Sequence, residues 1–290
     1  MSEAKLIDGR AIAAAIAGEV EAAVAASRKR GVVPTLAVVV PTDDDAAAWY
    51  VRSIQRTAAR VGIECRVDQL TEPTGDDLTA RVDALSADPA VHGIICQTPL
   101  PAGLSLDDVG GHIAPAKDVD GANPTSLGRL AAGLPTFAPA TAAAVLEILR
   151  REEVPLVGRR AVVVGRSTVV GKPAALLLLA EHATVTVCHS RTADLPAVCA
   201  EADVLVLAVG RAQMVDAAYV KPGAVVIDVG TNPTDDGSIV GDADQASVAT
   251  RAGALTPVPG GVGPVTTMLL MRQTAAAATA ATATVTTATT

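Results

Sequence analysis

Residues 158–179, GRRAVVVGRSTVVGKPAALLLL, predict a strand, a glycine-containing turn and a helix in immediate succession. The β-branched run at residues 162–164 suits a strand that is buried on both faces. Gly165 ends that strand, and Gly171 and Pro173 lie where a helix can begin. The first N–H groups of a helix lack partners within it, so this turn favours an anion such as a phosphate. A plain packing unit of strand, turn and helix is the alternative.

Two familiar phosphate loops almost fit this stretch. A Walker loop has four residues between its glycines and a Ser or Thr after its lysine, whereas five residues separate Gly165 from Gly171, and Pro173 follows Lys172. The dinucleotide fingerprint G-x-G-x-x-G also fails, because Ser167 occupies the place of its middle glycine. Spacing alone therefore leaves the ligand open.

Helical and strand patterns alternate along the chain, which is typical of parallel α/β architecture. Helices are predicted at residues 12–30, 46–61, 78–87 and 140–151 and from about 265, and strands at 36–40, 63–67, 93–96, 162–164, 183–188, 204–209 and 224–229. We expect a first α/β domain over residues 1–139, joined by a C-terminal helix at about 265–283. The second domain covers residues 140–257 as a Rossmann-like doubly wound parallel sheet. Residues 110–139 are predicted to be irregular, and residues 284–290 to form a Thr-rich tail.

Composition excludes several partners. A formal charge of −8 and only four aromatic residues disfavour a nucleic-acid partner. The start, MSEAKLIDGR, lacks a basic and apolar signal region, and no run of about 18 apolar residues predicts a membrane span. We therefore expect a cytoplasmic protein without a membrane partner. The four cysteines are scattered without metal-ligand spacing, so no metal site is predicted.

The end of the strand at 183–188 favours NADP over NAD. NAD-binding domains commonly place an acidic residue there, whereas this chain has Ser190 and Arg191, which suit a 2′-phosphate. A solvated arginine after a strand is the alternative. Gly210, Gly230 and the loop TPVPGGVGP at residues 256–264 also follow predicted strand ends, where α/β sheets bind ligands.

Tyr50, Gln97 and Asp120 are polar residues on three separate segments of the first half of the chain, each beside a predicted strand end or helix start. Individually, each suits a structural role: a half-buried helix residue, a turn former and a helix cap. Together they can line one cleft facing the second domain, and clefts between domains are common ligand sites.

These segments together resemble the methylenetetrahydrofolate dehydrogenase/cyclohydrolase family. The matching pieces, in family order between about residues 6 and 270, are Tyr50-Val51, Gln97-Thr98-Pro99-Leu100-Pro101, Lys117-Asp118-Val119-Asp120-Gly121, Val164-Gly165-Arg166-Ser167, Val170-Gly171-Lys172-Pro173, Cys188-His189-Ser190, Val226-Ile227-Asp228-Val229-Gly230 and residues 256–264. The resemblance implies two α/β domains flanking a cleft, a folate on the first domain, NADP on the second and a homodimer formed through the nucleotide domains. The family oxidises 5,10-methylenetetrahydrofolate with NADP and then hydrolyses the methenyl product to 10-formyltetrahydrofolate.

The resemblance also implies roles for individual residues. Catalysis is expected at Tyr50, Gln97 and Asp120, with Tyr50 orienting the folate and Asp120 holding its pterin by hydrogen bonds. The expected NADP-binding residues are Gly165, Arg166, Ser167, Val170, Gly171, Ser190, Arg191, Gly210, Gly230 and Thr231. The expected substrate-binding residues are Tyr50, Val51, Pro99, Leu100, Asp120, Pro259, Gly260 and Gly261.

The chain departs from the family at one central position. The family pattern runs from Tyr-Val through two residues to a lysine, but Ile54 occupies that place here. The lysine polarises the substrate and assists water attack while paired with the glutamine at Gln97, and isoleucine offers neither a proton nor a charge. We therefore expect dehydrogenase activity with a weak or absent cyclohydrolase step.

Two other hypotheses stay open at this stage. Ala122 and Asn123 replace the family's Phe-His after Asp120-Gly121, which allows a dehydrogenase acting on a modified folate or another cyclic amine. A catalytically silent homologue that binds folate or NADP is the third possibility.

Overall fold

The computed structural model describes residues 4–287 of the 290-residue chain, without the side chains of residue 46 and residues 282–287. The strands are β1 (Lys5–Leu6), β2 (Thr35–Val40), β3 (Glu64–Gln69), β4 (Gly93–Cys96), β5 (Arg160–Val164), β6 (Thr184–Cys188), β7 (Val204–Leu207), β8 (Val225–Asp228), β9 (Asn232–Pro233), β10 (Ile239–Val240) and β11 (Ala254–Leu255). The helices are α1 (Gly9–Lys29), α2 (Asp45–Arg60), α3 (Gly75–Ala87), α4 (Leu106–Gly110), α5 (Pro124–Ala131), α6 (Ala140–Arg151), α7 (Gly171–Ala180), α8 (Leu195–Cys199), α9 (Gln245–Ala249) and α10 (Val262–Thr287), with a 3-10 turn at Ala217–Tyr219.

The chain divides into two compact units. One consists of the residues up to Ala13 together with Thr141–Thr266, and we call it the six-stranded unit. The other consists of Ala14–Ala140 together with the chain from Thr267 onward, and we call it the three-stranded unit. The main sheet of each unit is parallel, with helices between its strands, which confirms the predicted α/β class with two domains. In the six-stranded unit, β9 and β10 form a separate antiparallel pair.

The six-stranded unit has a doubly wound parallel sheet in the order β1-β11-β8-β7-β5-β6. All four residues of β7 are buried, as are four of the five in β5, because the β-branched and Leu residues of these central strands pack on both faces. The strand order reverses direction between β5 and β7. Ligands of doubly wound sheets bind outside the carboxyl ends of the strands at such a reversal, so the turn after β5 lies at the expected ligand edge.

The three-stranded unit has β2 at the centre of the order β3-β2-β4. All six residues of β2 are buried, as expected for a strand paired on both sides. The core around it includes Ala37 and Val39 of β2, Ile94 of β4 and three apolar residues of α3. This core fixes the carboxyl ends of β2 and β4, which precede segments with predicted site residues.

The structure differs from the expected boundaries at both ends of the chain. Residues 4–13 were predicted in the first domain, but the N–H of Lys5 donates to Gly253 O at 3.0 Å and β1 pairs with β11 in the six-stranded sheet. The Ala-rich sequence continues α10 to Thr287, past the helix end expected at about 283. The last three residues of the predicted tail, 288–290, lie outside the described part of the chain.

The prediction that residues 110–139 are irregular is wrong for α5. Asn123 caps this helix by accepting the N–H of Thr125 at 2.7 Å, and Pro124 occupies its first turn, where a missing N–H carries no cost. The helix is only eight residues long and lies in a Gly- and Pro-rich stretch, so its capping residue and first-turn proline were not recognised in the sequence. Within residues 4–287, no helix has the length and hydropathy needed to cross a membrane.

Candidate active site

The turn between β5 and α7 is closed by two glycines. Gly165 has φ +128°, and a methyl group on it would lie 2.2 Å from the carbonyl oxygen of Ala208. A methyl group on Gly171 would lie equally close to Gly165 O. Only glycine at both positions lets the turn fold onto itself and onto the end of β7.

Ser167 accepts most of the N–H groups at the start of α7, which the sequence alone left without assigned partners. Its hydroxyl accepts the N–H groups of Val170 at 3.2 Å and of Gly171 at 3.4 Å, and its carbonyl accepts that of Lys172 at 3.0 Å. Among the described residues, the amides of Arg166 and Ser167 donate no hydrogen bond. The donors that remain for an anion therefore lie in the turn itself rather than in the first turn of α7.

The end of β6 lies beside this turn, because Gly165 N donates to Cys188 O at 2.9 Å. Ser190 and Arg191 follow it and are both exposed. His189 shapes the segment: its N–H donates to Thr192 Oγ1 at 2.9 Å, and its Nδ1 accepts the N–H of Arg191 at 3.1 Å. The structure thus brings the predicted phosphate turn and the predicted 2′-phosphate residues to neighbouring strand ends.

Gly210 and Gly230 lie after β7 and β8 at the same edge of the sheet, with exposed Thr231 following. A methyl group on Gly230 would lie 2.4 Å from Asp242 Oδ1, so this glycine makes room for a carboxylate of the protein. Nothing within 4 Å would meet a methyl group on Gly210, whose φ is +68°. Sequence reasoning missed Asp242, which follows a short hairpin and had no recognisable spacing to the glycines.

The loop at residues 256–264 is packed against the start of α1. A methyl group on Gly9 would lie 1.8 Å from Gly261 O, and one on Gly260 would lie 3.7 Å from the Arg10 guanidinium carbon. Gly261 is buried, whereas Pro259 is exposed. These three predicted substrate residues, Pro259, Gly260 and Gly261, belong to the six-stranded unit, whereas the other predicted substrate residues belong to the three-stranded unit.

Tyr50 and Asp120 come together in the three-stranded unit. The Tyr50 hydroxyl hydrogen-bonds the side chain of Thr267, and burial, followed by the nearby Asp120 carboxylate, raises the Tyr50 pKa to about 12. Burial, followed by Asp118, raises the pKa of Asp120 to about 7, while an N–H bond from Ala140 opposes that rise. Asp120 therefore accepts the first N–H of α6, which is the structural role considered for it. Thr267 was missed, because a lone threonine in α10 carries no sequence signal.

The other predicted residues of this unit differ in accessibility. Gln97 follows β4, and its N–H donates to Val39 O at 2.9 Å, while its side chain is partly exposed. Pro99 is exposed, but Leu100 packs against the core and Val51 is only 6% exposed. Val51 is therefore buried and Leu100 packs against the core, whereas the sequence predicted both to bind substrate. The described residues include no group of His, Cys, Asp and Glu that could hold a metal ion.

Ile54 lies one helical turn after Tyr50 in α2 and is fully buried, with 0% exposure. Residues four apart share a helix face, so position 54 belongs to the face that carries Tyr50. Arg52 and Arg56 are both exposed, and Arg56 Nε donates to Arg52 O at 3.3 Å. Neither arginine occupies the face that carries Ile54.

The fold and this edge define a dinucleotide-binding α/β protein: a doubly wound sheet whose glycine turn lies where the strand order reverses, beside a strand end with Ser and Arg. Two family models narrow this class. "Tetrahydrofolate dehydrogenase/cyclohydrolase, catalytic domain" matches residues 7–120, and the NAD(P)-binding domain of the same family matches residues 139–282. The chain belongs to the tetrahydrofolate dehydrogenase/cyclohydrolase family, as its motifs predicted.

Individual relatives are similar to this chain over nearly its whole length. The chain is 66% identical over 274 residues to "Bifunctional protein FolD" of Parafrankia sp. (strain EAN1pec), covering 94% of this chain and 99% of that protein. The structure of the bifunctional FolD enzyme of Campylobacter jejuni superposes with a TM-score of 0.92 at 37% identity, covering 95% and 99% of the two chains. FolD of Trypanosoma brucei, solved with NADP cofactor and inhibitor, has a TM-score of 0.91 at 37% identity, covering 97% and 99%.

Proposed function

We propose that this chain, an NADP-dependent methylenetetrahydrofolate dehydrogenase of one-carbon metabolism, lacks the cyclohydrolase step of its family. The observation that carries the proposal is Ile54, a fully buried aliphatic residue on the helix face of Tyr50. Hydride transfer depends mainly on alignment of the donor carbon with the nicotinamide. Hydrolysis additionally needs a group that polarises the substrate and assists water, and isoleucine supplies none.

The residues at the edge of the six-stranded sheet fit NADP. The amides of Arg166 and Ser167, which donate no hydrogen bond among the described residues, can bind a phosphate in the turn that Gly165 closes. Ser190 and Arg191 supply a hydroxyl and a cation for the 2′-phosphate. When bound, NADP supplies the nicotinamide ring that accepts the hydride. The protein binds that dinucleotide and provides selectivity for NADP over NAD.

Tyr50 and Asp120 would hold the folate. An ionised Asp120 accepts hydrogen bonds from pterin N–H groups, and its carboxylate is already oriented by the N–H of Ala140. Tyr50, whose pKa of about 12 keeps its hydroxyl protonated at neutral pH, presents an aromatic ring fixed by Thr267. Gln97 stays in the predicted set, although the lysine that would pair with it is absent.

An Ile54→Lys variant is expected to raise enzyme-dependent hydrolysis of methenyltetrahydrofolate at least about tenfold, because general acid–base groups typically contribute that much or more. The rate of hydrolysis is measured from the decrease in methenyltetrahydrofolate absorbance, after the spontaneous rate in buffer has been subtracted. Gln55→Lys is the matched control, since it adds the same charge on the neighbouring exposed position of α2. Appreciable hydrolysis by the unmodified chain that Ile54→Lys leaves unchanged would contradict the proposal.

A homodimer and a cytoplasmic location complete the proposal. β6 is the edge strand of the six-stranded sheet, and Val187 on it is 42% exposed, while Leu179 at the end of α7 is 58% exposed. Exposed apolar side chains beside an open strand edge favour a protein partner, here a second copy. Light scattering should then give a mass of twice the 29.1 kDa of one chain, and the Leu179→Glu variant should have the mass of a single chain. The control is Leu134→Glu, at a similarly exposed leucine of the three-stranded unit.

A further inference from the structure

Two carboxylates are buried beneath the predicted NADP edge of the six-stranded sheet. Asp228 ends β8 and is 3% exposed, and Asp242 follows β10 and is 0% exposed. Neither carboxylate has a cationic partner among the described residues: the donors to their oxygens are backbone N–H groups and, for Asp242, the side-chain amide of Asn232. Buried charges without such bonds are strongly unfavourable, so the arrangement of donors around them fixes the surrounding loops.

Asp242 collects four donors. Its Oδ2 accepts the N–H groups of Val209 at 2.6 Å and Gly210 at 3.1 Å. Its Oδ1 accepts the N–H of Arg211 at 2.9 Å and the Nδ2 amide of Asn232 at 3.0 Å. One carboxylate therefore holds the turn after β7 and the segment after β8, the two segments that carry the predicted NADP residues Gly210 and Gly230.

Asp228 connects this carboxylate to the loop at residues 256–264. Its Oδ1 accepts the N–H groups of Gly230 at 2.9 Å and of Asp242 at 3.0 Å. Its own N–H donates to Thr256 Oγ1 at 2.8 Å. A methyl group on Gly241 would lie 2.0 Å from Asp228 Oδ2, and one on Gly230 would lie 2.4 Å from Asp242 Oδ1. The backbone therefore packs closely against both carboxylates.

We propose that Asp242 is a positioning residue for NADP: it fixes the turn at residues 209–211 and the segment at 230–232 in the conformation that receives the dinucleotide. The inference rests on the proposed function, because it assumes that NADP occupies this edge. Asp242 itself is buried and acts through the amides that it orients. Asp228 extends the same network to Thr256, at the start of the proline- and glycine-rich loop.

Asp242→Asn tests this role directly. Each carboxylate oxygen of Asp242 accepts two hydrogen bonds, but an asparagine side chain has only one acceptor oxygen. In either orientation of the new side-chain amide, its NH₂ group therefore faces two N–H donors whose hydrogen bonds it cannot accept. We expect the NADP dissociation constant, measured by calorimetry, to rise at least about tenfold, because hydrogen bonds to charged groups are worth that much. Amide hydrogen exchange at residues 209–211 should accelerate in the same variant without ligand. The matched control is Asp236→Asn, at an exposed carboxylate in the β9–β10 turn of the same unit.

A residue that only stabilises the fold would lower the unfolding temperature while leaving the NADP dissociation constant within twofold, and that result in folded Asp242→Asn overturns the inference. If Asp242→Asn does not fold, Asn232→Ala decides, since it removes one donor while keeping the carboxylate. It should weaken NADP about threefold, and unchanged binding overturns the inference. Absence of NADP binding by the unmodified chain would instead mean that the proposed function itself has failed.

Discussion

A Gly165→Ala variant should lose about 2–6 kcal/mol of unfolding free energy and bind NADP at least about a hundredfold more weakly. The cause is twofold: the residue has φ +128°, and the new methyl group would lie 2.2 Å from Ala208 O, which is backbone and cannot rotate away. Relief of that contact must separate the turn after β5 from the end of β7. Urea unfolding and NADP calorimetry measure the two effects.

Gly158→Ala is the control for Gly165→Ala. Gly158 lies just before β5 with φ +70°, and nothing within 4 Å would meet its methyl group. This variant should therefore show only the cost of a left-handed conformation, about 1–2 kcal/mol, with normal NADP affinity. Equal losses in the two variants would show that the contact with Ala208 does not determine the shape of the turn.

An Asp120→Asn variant should raise the KM for methylenetetrahydrofolate about a hundredfold while leaving the NADP dissociation constant within about twofold. The amide cannot replace a carboxylate that accepts hydrogen bonds from the pterin, and it also weakens the cap on α6. Steady-state kinetics with each substrate varied in turn separate these constants. Asp76→Asn, an exposed carboxylate in the first turn of α3, should change neither value.

The pH profile gives a second test of Asp120. Burial raises its pKa to about 7, so the fraction of ionised carboxylate increases as the pH rises through that value. Because the ionised form accepts the pterin hydrogen bonds, the KM for the folate should fall between about pH 6 and pH 8. Tyr50, with a pKa of about 12, does not titrate in that window. A profile that is equally steep in Asp120→Asn would assign the titration to another group.

Local patterns were sufficient for the fold class. The β-branched run in β5, the glycines at 165 and 171 and the apolar helix α7 follow one another along the chain, so residues 158–179 specify a buried strand, a turn and a helix without distant contacts. The neighbouring strand end with Ser190 and Arg191 could also be predicted, because parallel strands bring their carboxyl ends to one edge. The family motifs also predicted that Tyr50 and Asp120, which are 70 residues apart in the chain, serve one site, but not that the two side chains interact.

Contacts between distant residues were not predictable in this way. β1 has only two residues, and its place beside β11 depends on backbone hydrogen bonds to a segment near the other end of the chain. Asp242 and Thr267 act through partners that are remote in sequence, so nothing in their own surroundings identifies them. Ser167 likewise uses its hydroxyl within the turn, although its position in the sequence indicated a ligand contact.

Ile54 is the residue at which we expect the two reactions of the family to differ. Its full burial shows that an aliphatic side chain is packed on the face of α2 that carries Tyr50, and the exposed Arg52 and Arg56 lie on other faces. We expect the dehydrogenase reaction to need the dinucleotide edge together with Tyr50 and Asp120, all of which are present in the chain. The cyclohydrolase reaction is expected to need a proton-bearing group at position 54 in addition.

The most direct test is one assay of the unmodified chain that follows NADPH and methenyltetrahydrofolate together during oxidation of methylenetetrahydrofolate with NADP. We predict that the two products accumulate in equal amounts, and that methenyltetrahydrofolate then disappears only at the rate seen in buffer without protein. The opposite result is a methenyltetrahydrofolate concentration that stays far below the NADPH concentration, with a rate of methenyl loss that increases in proportion to the amount of protein. That result would contradict the loss of the cyclohydrolase step.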